Sequence, residues 1–287
     1  MLSYITWTAD PAILSVFGRE IRWYGLFFAI GFLIGYKMIE YMFKKEQVPP
    51  AWADKLFIYV IIATVIGSRL GHCLFYDFES YIRNPIEIFK IWKGGLASHG
   101  GTIGVIIGVW LYSRNVTKRS MLWTLDRLVV PTALVASLIR LGNLMNHEIY
   151  GYPTDVPWAF KFITNIHEYQ TGAPPIFSEP SHPTQIYEAS VYFLTFILLV
   201  YLYFKTGAKE RSGLIFGIFL TLVFLSRFFI EFIKLDQEAF EEGMILNMGQ
   251  LLSIPFIIAG IYFMCRGLTN KAGTATPPKT APGSKKK

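Results

Sequence analysis

The chain has 287 residues, of which 53% are hydrophobic and only 16% charged, with a mean hydropathy of +0.39. Soluble domains carry roughly 25% charged residues, so these values exclude a disordered chain and argue against an ordinary soluble domain. The formal charge of +7 belongs to the end of the chain: six basic residues and no acid follow Cys265, leaving +1 for residues 1–265 and no argument for nucleic acid. Cys73 and Cys265 stand alone, without the spacing of a disulfide framework or a zinc site.

In chain order, apolar stretches fall at about 21–42, 54–76, 98–113, 121–141, 186–204, 213–233 and 246–265. Most approach the roughly 20 residues that a bilayer-crossing helix needs. The third is short and opens near Gly-Gly, which suits a tilted or partly re-entrant segment. No basic region with a cleavage site flanks the first, so it reads as a retained helix. The pattern predicts an all-α, polytopic transmembrane helical bundle of seven spans. Fourteen lysines and arginines lie on one set of connections and the tail, against seven on the other set. The positive-inside rule then puts the N-terminus outside, in the periplasm, and the C-terminus in the cytoplasm. Residues 1–267 form the membrane domain, with a long outer loop at about 142–185, and 268–287 read as a disordered basic cytoplasmic tail.

The polar residues inside the spans carry the functional signal. A charge deep in a bilayer costs at least about 2.5–3.5 kcal/mol, so it faces a partner or a wet cavity. On the inferred orientation, Arg22 and Tyr24 begin the first span, Arg69 lies in the outer third of the second, and His99 opens the third. Arg140 and Asn143 end the fourth, and Gln185 and Glu188 begin the fifth. Arg227 and Glu231 lie in the outer half of the sixth, and Asn247 and Gln250 begin the seventh. All share one depth, which predicts one site. Arg227 and Glu231, four apart, can pair on one helix face, and so can Arg140 and Asn143. Ser181 could cap the fifth span. Asp126–Arg127 suits a structural role as well as a functional one.

Two arginines, a histidine, amides and carboxylates, without a metal-ligand array, suit an anion, because the guanidinium fork matches phosphate. Reached from the outer leaflet, such a site suits a phospholipid head group. No HExxH, GxSxG or Walker loop is present. A lipid or anion transporter remains a competing reading, as does a membrane scaffold.

The segment Arg140-Leu141-Gly142-Asn143-Leu144-Met145-Asn146-His147-Glu148-Ile149-Tyr150-Gly151 resembles the signature of the prolipoprotein diacylglyceryl transferases. The likeness continues through Arg22-Trp23-Tyr24-Gly25, Ser98-His99-Gly100-Gly101, His182-Pro183-Thr184-Gln185-Ile186-Tyr187-Glu188, Arg227-Phe228-Phe229-Ile230-Glu231 and Met248-Gly249-Gln250. Ile139 and Leu144 stand where the family usually has Gly and Phe. The resemblance implies transfer of the diacylglyceryl group of phosphatidylglycerol to the lipobox cysteine of a prolipoprotein signal peptide. A thioether forms and glycerol phosphate leaves. It also implies a seven-span protein of the bacterial inner membrane, a periplasm-facing site, and no metal or organic cofactor.

On that reading Arg140 and Arg227 stabilise the departing phosphate, with Glu231 orienting Arg227. Asn143, Asn146, Glu148, Gly151, Gln185 and Glu188 complete the phosphatidylglycerol site. His99 is the expected general base for the thiol, since imidazole titrates near working pH, and Tyr24 assists by hydrogen bonding. Gly100 and Gly101 either donate amides or permit helix packing. The aromatic loop residues Tyr150, Tyr152, Trp158, Phe160 and Phe162 either guide the peptide or form a folded cover.

Overall fold

A computed structural model describes residues 4–16, 19–235 and 243–269. The expected tail lies outside the described residues from position 270 onward. A short strand β1 (Ile5–Thr6) and an antiparallel pair, β2 (Ala12–Val16) and β3 (Arg19–Arg22), lead into helix α1 (Trp23–Lys45). Helix α2 (Ala51–Phe75) is followed by a short α3 (Phe78–Arg83), two 3-10 turns, and α4 (Ser98–Tyr112). Then come α5 (Met121–Met145), β4 (Phe160–Lys161), a one-turn α6 (Ile166–Gln170) and α7 (Thr184–Lys205). Helix α8 (Leu214–Ile230) ends in a 3-10 turn, Glu231–Ile233, and α9 (Met248–Thr269) closes the bundle.

Among the described residues, six helices are long and apolar enough to cross a membrane: α1, α2, α5, α7, α8 with its 3-10 extension, and α9. The third apolar stretch forms α4, whose 15 residues span only about 22 Å at 1.5 Å per residue. Glycine explains how so short a helix is held. Gly67 and Gly71 of α2 face Gly100 and Gly104 of α4 so closely that a Cβ on Gly71 would sit 2.6 Å from the Gly100 Cα, and one on Gly67 would sit 2.7 Å from the Gly104 Cα. Small residues at this spacing let two helix backbones touch within a membrane. Packing therefore accounts for Gly100; Gly101 faces the Ser68 side chain, whose Oγ a Cβ would meet at 2.5 Å.

The main hydrophobic core joins α1, α4, α5, α7 and α8 through buried Met42, Phe43, Tyr112, Val130, Leu199, Tyr203 and Ile215. At the same end of the bundle, Arg127 Nε lies 2.9 Å from Glu46 Oε1 and the guanidinium stacks 4.0 Å from the Trp123 ring centroid. Tyr203 donates its hydroxyl to the same Glu46 carboxylate. Asp126 turns elsewhere and accepts from the backbone N–H groups of Gly213 (2.7 Å) and Phe216 (2.9 Å) at the start of α8. The adjacent Asp126 and Arg127 thus serve two separate structural joints.

The opposite end is roofed by the long loop. Strand β4 pairs in parallel with β1, Trp7 Nε1 donates to the Leu144 carbonyl at 3.0 Å, and Phe160 and Phe162 are buried against Trp7 and Tyr150. The folded-cover reading holds for Tyr150, Phe160 and Phe162, while Tyr152 and Trp158 remain exposed. Ser181 does not cap α7: its hydroxyl donates to the Glu179 carbonyl, and the helix opens at Thr184 without a side-chain cap.

Candidate active site

Beneath that roof the ends of α5, α7 and α8 converge. Helix α5 runs to Met145, further than its apolar pattern suggests, so Arg140 and Asn143 ride on its last turns. Arg140 Nε meets the fully buried Glu188 of α7 at 2.8 Å. Its Nη1 donates to Asn143 Oδ1 at 3.3 Å, and Tyr192, one turn beyond Glu188, also hydrogen bonds the guanidinium. The other Glu188 oxygen lies 3.5 Å from Lys234 Nζ, which is also 3.3 Å from Glu231 Oε2. Glu231 is within electrostatic range of Arg140, and Arg227 within range of Tyr192 and Lys234. Arg140 and Arg227 therefore belong to one cluster. Burial pulls the Lys234 ammonium below the usual lysine range, while Glu188 and Glu231 act to hold its proton.

The turn leaving α5 is built to aim polar groups at this cluster. His147 and Ile149 both take positive φ, +57° and +61°, a strained choice for a β-branched residue. The turn is held by Thr184 Oγ1 donating to Ile149 O at 2.7 Å and Gln185 Nε2 donating to Glu148 O at 2.7 Å. Glu148 Oε1 then accepts from Asn143 (2.8 Å) and Asn146 (3.1 Å). Gly151 ends the turn where a Cβ would strike His182 Cβ and Thr184 Cγ2, both at 2.9 Å. Tyr24 packs on Gly142, again where only glycine fits, and lies within electrostatic range of Arg140 and Glu148.

Two buried amide oxygens in this pocket, Asn146 Oδ1 and Gln185 Oε1, have no hydrogen-bond partner among the described residues, and the two Glu188 oxygens have only their ion pairs. The guanidinium of the half-buried Arg227 makes no hydrogen bond or ion pair among the described residues either. Buried polar atoms without partners are rare in folded proteins, so this arrangement suits a ligand offering both hydroxyl donors and an anion. Among the described residues no three His, Cys, Asp or Glu side chains converge to hold a metal ion.

Several sequence expectations change here. Glu231 pairs with Lys234, not Arg227, because α8 stops at Ile230 and the following 3-10 turn eclipses residues three apart. Arg69 stands outside the anion site. It is buried, and its guanidinium donates to the carbonyls of Ile88 (2.8 Å), Gly94 (2.7 Å), Gly95 (3.1 Å) and Glu87 (2.5 Å). It thereby clamps the segment that leads into α4. Arg22 is surface-bound to Glu20 at 2.8 Å. Asn247 and Gln250 cap each other at the start of α9. His182 lies in the roof, 3.2 Å from the Tyr187 hydroxyl.

His99 is exposed at the mouth of α4, stacked on Tyr76 with ring centroids 5.6 Å apart. No hydrogen bond, ion pair or ring contact joins it to the Arg140 cluster among the described residues. Lys234 and Tyr192 were missed, although their spacings, three beyond Glu231 and four beyond Glu188, place them on the faces already singled out.

With this geometry in view, comparison with known proteins decides the family. A sequence profile of prolipoprotein diacylglyceryl transferase matches residues 11–266. The chain belongs to that family. A Porphyromonas gingivalis relative named phosphatidylglycerol–prolipoprotein diacylglyceryl transferase is 53% identical over 274 residues, covering 93% of this chain and 96% of its own. A Tolumonas auensis relative of the same name is 45% identical over 266 residues, covering 93% and 98%. One from Bacteroides fragilis is 42% identical over 276 residues, covering 92% and 95%. Family membership and the six long apolar helices make this a multi-pass membrane protein.

Proposed function

We propose that this protein transfers the diacylglyceryl group of phosphatidylglycerol to the lipobox cysteine thiol of prolipoprotein signal peptides, the first step of bacterial lipoprotein maturation. The observation that carries the assignment is the shared cluster of Arg140 and Arg227 beside the partnerless Asn146 Oδ1 and Gln185 Oε1. The two guanidinium groups match the phosphodiester, and the two free acceptors match the hydroxyls of its terminal glycerol. The protein sits in the inner membrane with α4 as a seventh span and the roofed end facing the periplasm, in keeping with the distribution of lysine and arginine.

The reaction is a displacement at the lipid carbon bearing the phosphate. Sulfur forms a bond to that carbon, the carbon–oxygen bond to phosphate breaks, the thiol proton passes to a base, and glycerol phosphate leaves. Arg140 and Arg227 stabilise the developing phosphate charge through preorganised donors. Glu188, Glu231 and Lys234 hold the Arg140 side chain in register, while Asn143 and Glu148 shape the head-group pocket and Gly151 lets the chain close over it. An apolar crevice between α1, α2, α4 and α5, lined by Gly31, Gly35, Val60, Val105 and Val135, lies cytoplasmic to this cluster and accommodates acyl chain. His99 takes the thiol proton, with Tyr24 supporting the substrate by hydrogen bonding.

The purified full chain, incubated with phosphatidylglycerol and a lipobox peptide, should add one diacylglyceryl unit to the peptide by mass spectrometry. A serine-for-cysteine peptide should gain nothing. Movement of lipid between leaflets without an adduct would turn the assignment toward transport.

A further inference from the structure

At the end of the bundle opposite the Arg140 cluster, the last turns of α1 and α7 line a groove of about 700 Å³. Its walls are apolar, formed by Ile197, Val200 and Phe204, and its rim carries Lys45, Lys205 and Lys209. Lys45 and Lys205 are the final residues of their helices, and Lys209 stands in the 3-10 turn just after α7. None of the three makes an ion pair among the described residues. The Lys45 and Lys209 ammonium groups lie only over tyrosine rings, 5.5 Å from the Tyr41 centroid and 5.7 Å from that of Tyr203. Of the neighbouring charges, Glu46 is committed to Arg127 and Lys37 to Glu40 at 2.8 Å, while Lys44, Glu210 and Arg211 form no ion pair among the described residues.

A cation at a helix C-terminus is favoured by the exposed carbonyls alone, which accounts for Lys45 and Lys205 singly. It does not account for three unpaired ammonium groups around one concavity with hydrocarbon walls. Aqueous phosphate would find the lysines but no use for the walls. A neutral lipid would find the walls and leave the lysines unsatisfied. We propose that this groove binds an anionic phospholipid, its phosphate among Lys45, Lys205 and Lys209 and an acyl chain along Ile197, Val200 and Phe204. Basic pockets between membrane helices are suited to such head groups, each lysine near the surface contributing about 1 kcal/mol, or roughly fivefold in affinity. This site is separate from the catalytic one and does not depend on the catalytic assignment.

The test uses the full chain in phosphatidylcholine nanodiscs and titrates in phosphatidylserine, which is anionic but lacks the glycerol head group. Bound lipid is counted by native mass spectrometry. The wild-type chain should retain phosphatidylserine in clear preference to phosphatidylcholine. Combined Lys45→Gln, Lys205→Gln and Lys209→Gln substitutions should weaken that binding on the order of a hundredfold, and Arg140→Ala should leave it intact. Equal retention of the two lipids, an unaltered triple variant, or loss of binding in Arg140→Ala would each overturn the proposal. The substituted lysines contact no core residue through an ion pair, and a circular-dichroism melt of the triple variant checks that it remains folded.

Discussion

The two ends of the bundle use the same residue types in opposite ways. At one end Arg127, Glu46, Tyr203 and Asp126 are joined into closed joints in which each charge meets a partner. At the other, Arg140 is tied to Glu188, yet the Arg227 guanidinium lacks a hydrogen bond or ion pair among the described residues and two buried amide oxygens have no donor. A saturated network fixes helices; an unsaturated one of similar composition is arranged for something that arrives. Burial alone does not separate the two, since Arg127 and Glu188 are both almost wholly enclosed. What separates them is whether the donors and acceptors balance.

The sharpest break of that comparison is at Arg140. Arg140→Ala should slow thioether formation about 10²–10³-fold, the cost of removing a preorganised donor to developing charge. Arg140→Lys should be nearly as damaging, because a point charge does not reproduce the fork. Initial rates by peptide mass spectrometry decide both.

Arg227 and Arg127 should then dissociate activity from stability. Arg227→Ala should lower the rate about 100-fold with little change in the unfolding midpoint, since no ion pair is lost. Arg127→Ala strands the buried Glu46 and should cost about 3–5 kcal/mol of stability, while the rate per folded molecule is kept. If the two variants behaved alike, the distinction between closed and open networks would fail.

A smaller effect concerns the free acceptors. Asn146→Ala should erase about tenfold of the preference for phosphatidylglycerol over a lipid whose head group lacks the glycerol hydroxyls, a discrimination worth roughly one hydrogen bond. Competition between the two lipids in the same assay reads it directly.

The smallest expected effect lies in the roof. His147 Nδ1 accepts from the Ile163 N–H at 3.0 Å and its Nε2 faces the Ala9 carbonyl at 2.8 Å, so the ring is held neutral. Burial lowers its affinity for a proton. Its contribution is therefore fully present above the unfolded histidine value of about 6.5 and is lost as the pH falls from there through the depressed folded value. His147→Gln, which can both donate and accept, should flatten the decline of the unfolding midpoint between pH 7 and 5.

The residues that sequence placed well were those whose position along a helix already settles their height in the bundle. Arg140, Asn143 and Glu188 came together because α5 ends and α7 begins at one level. Height says nothing about where a side chain points. Arg69 shares that level, yet its donors are filled by carbonyls some 20 residues further along, which no periodicity reveals. The Arg227–Glu231 pairing failed because the spacing rule assumes an α-helix through Glu231, and the chain tightens one residue too soon. Lys234 was legible in principle, but its place just past an apolar stretch made it read as a loop charge. The roof depends on pairing β1 with β4, more than 150 residues apart, and strands of two residues leave no pattern to find.

The clamp made by Arg69 has a bearing on how the chain is made. Its partners all lie between α2 and α4, and the two helices close on each other through glycine. The guanidinium can therefore be solvated by its own hairpin once residue 112 has left the ribosome, before α5 emerges. A charge that would resist entry into lipid travels with its own hydration shell of carbonyls, and biogenesis of the first half need not wait for the second.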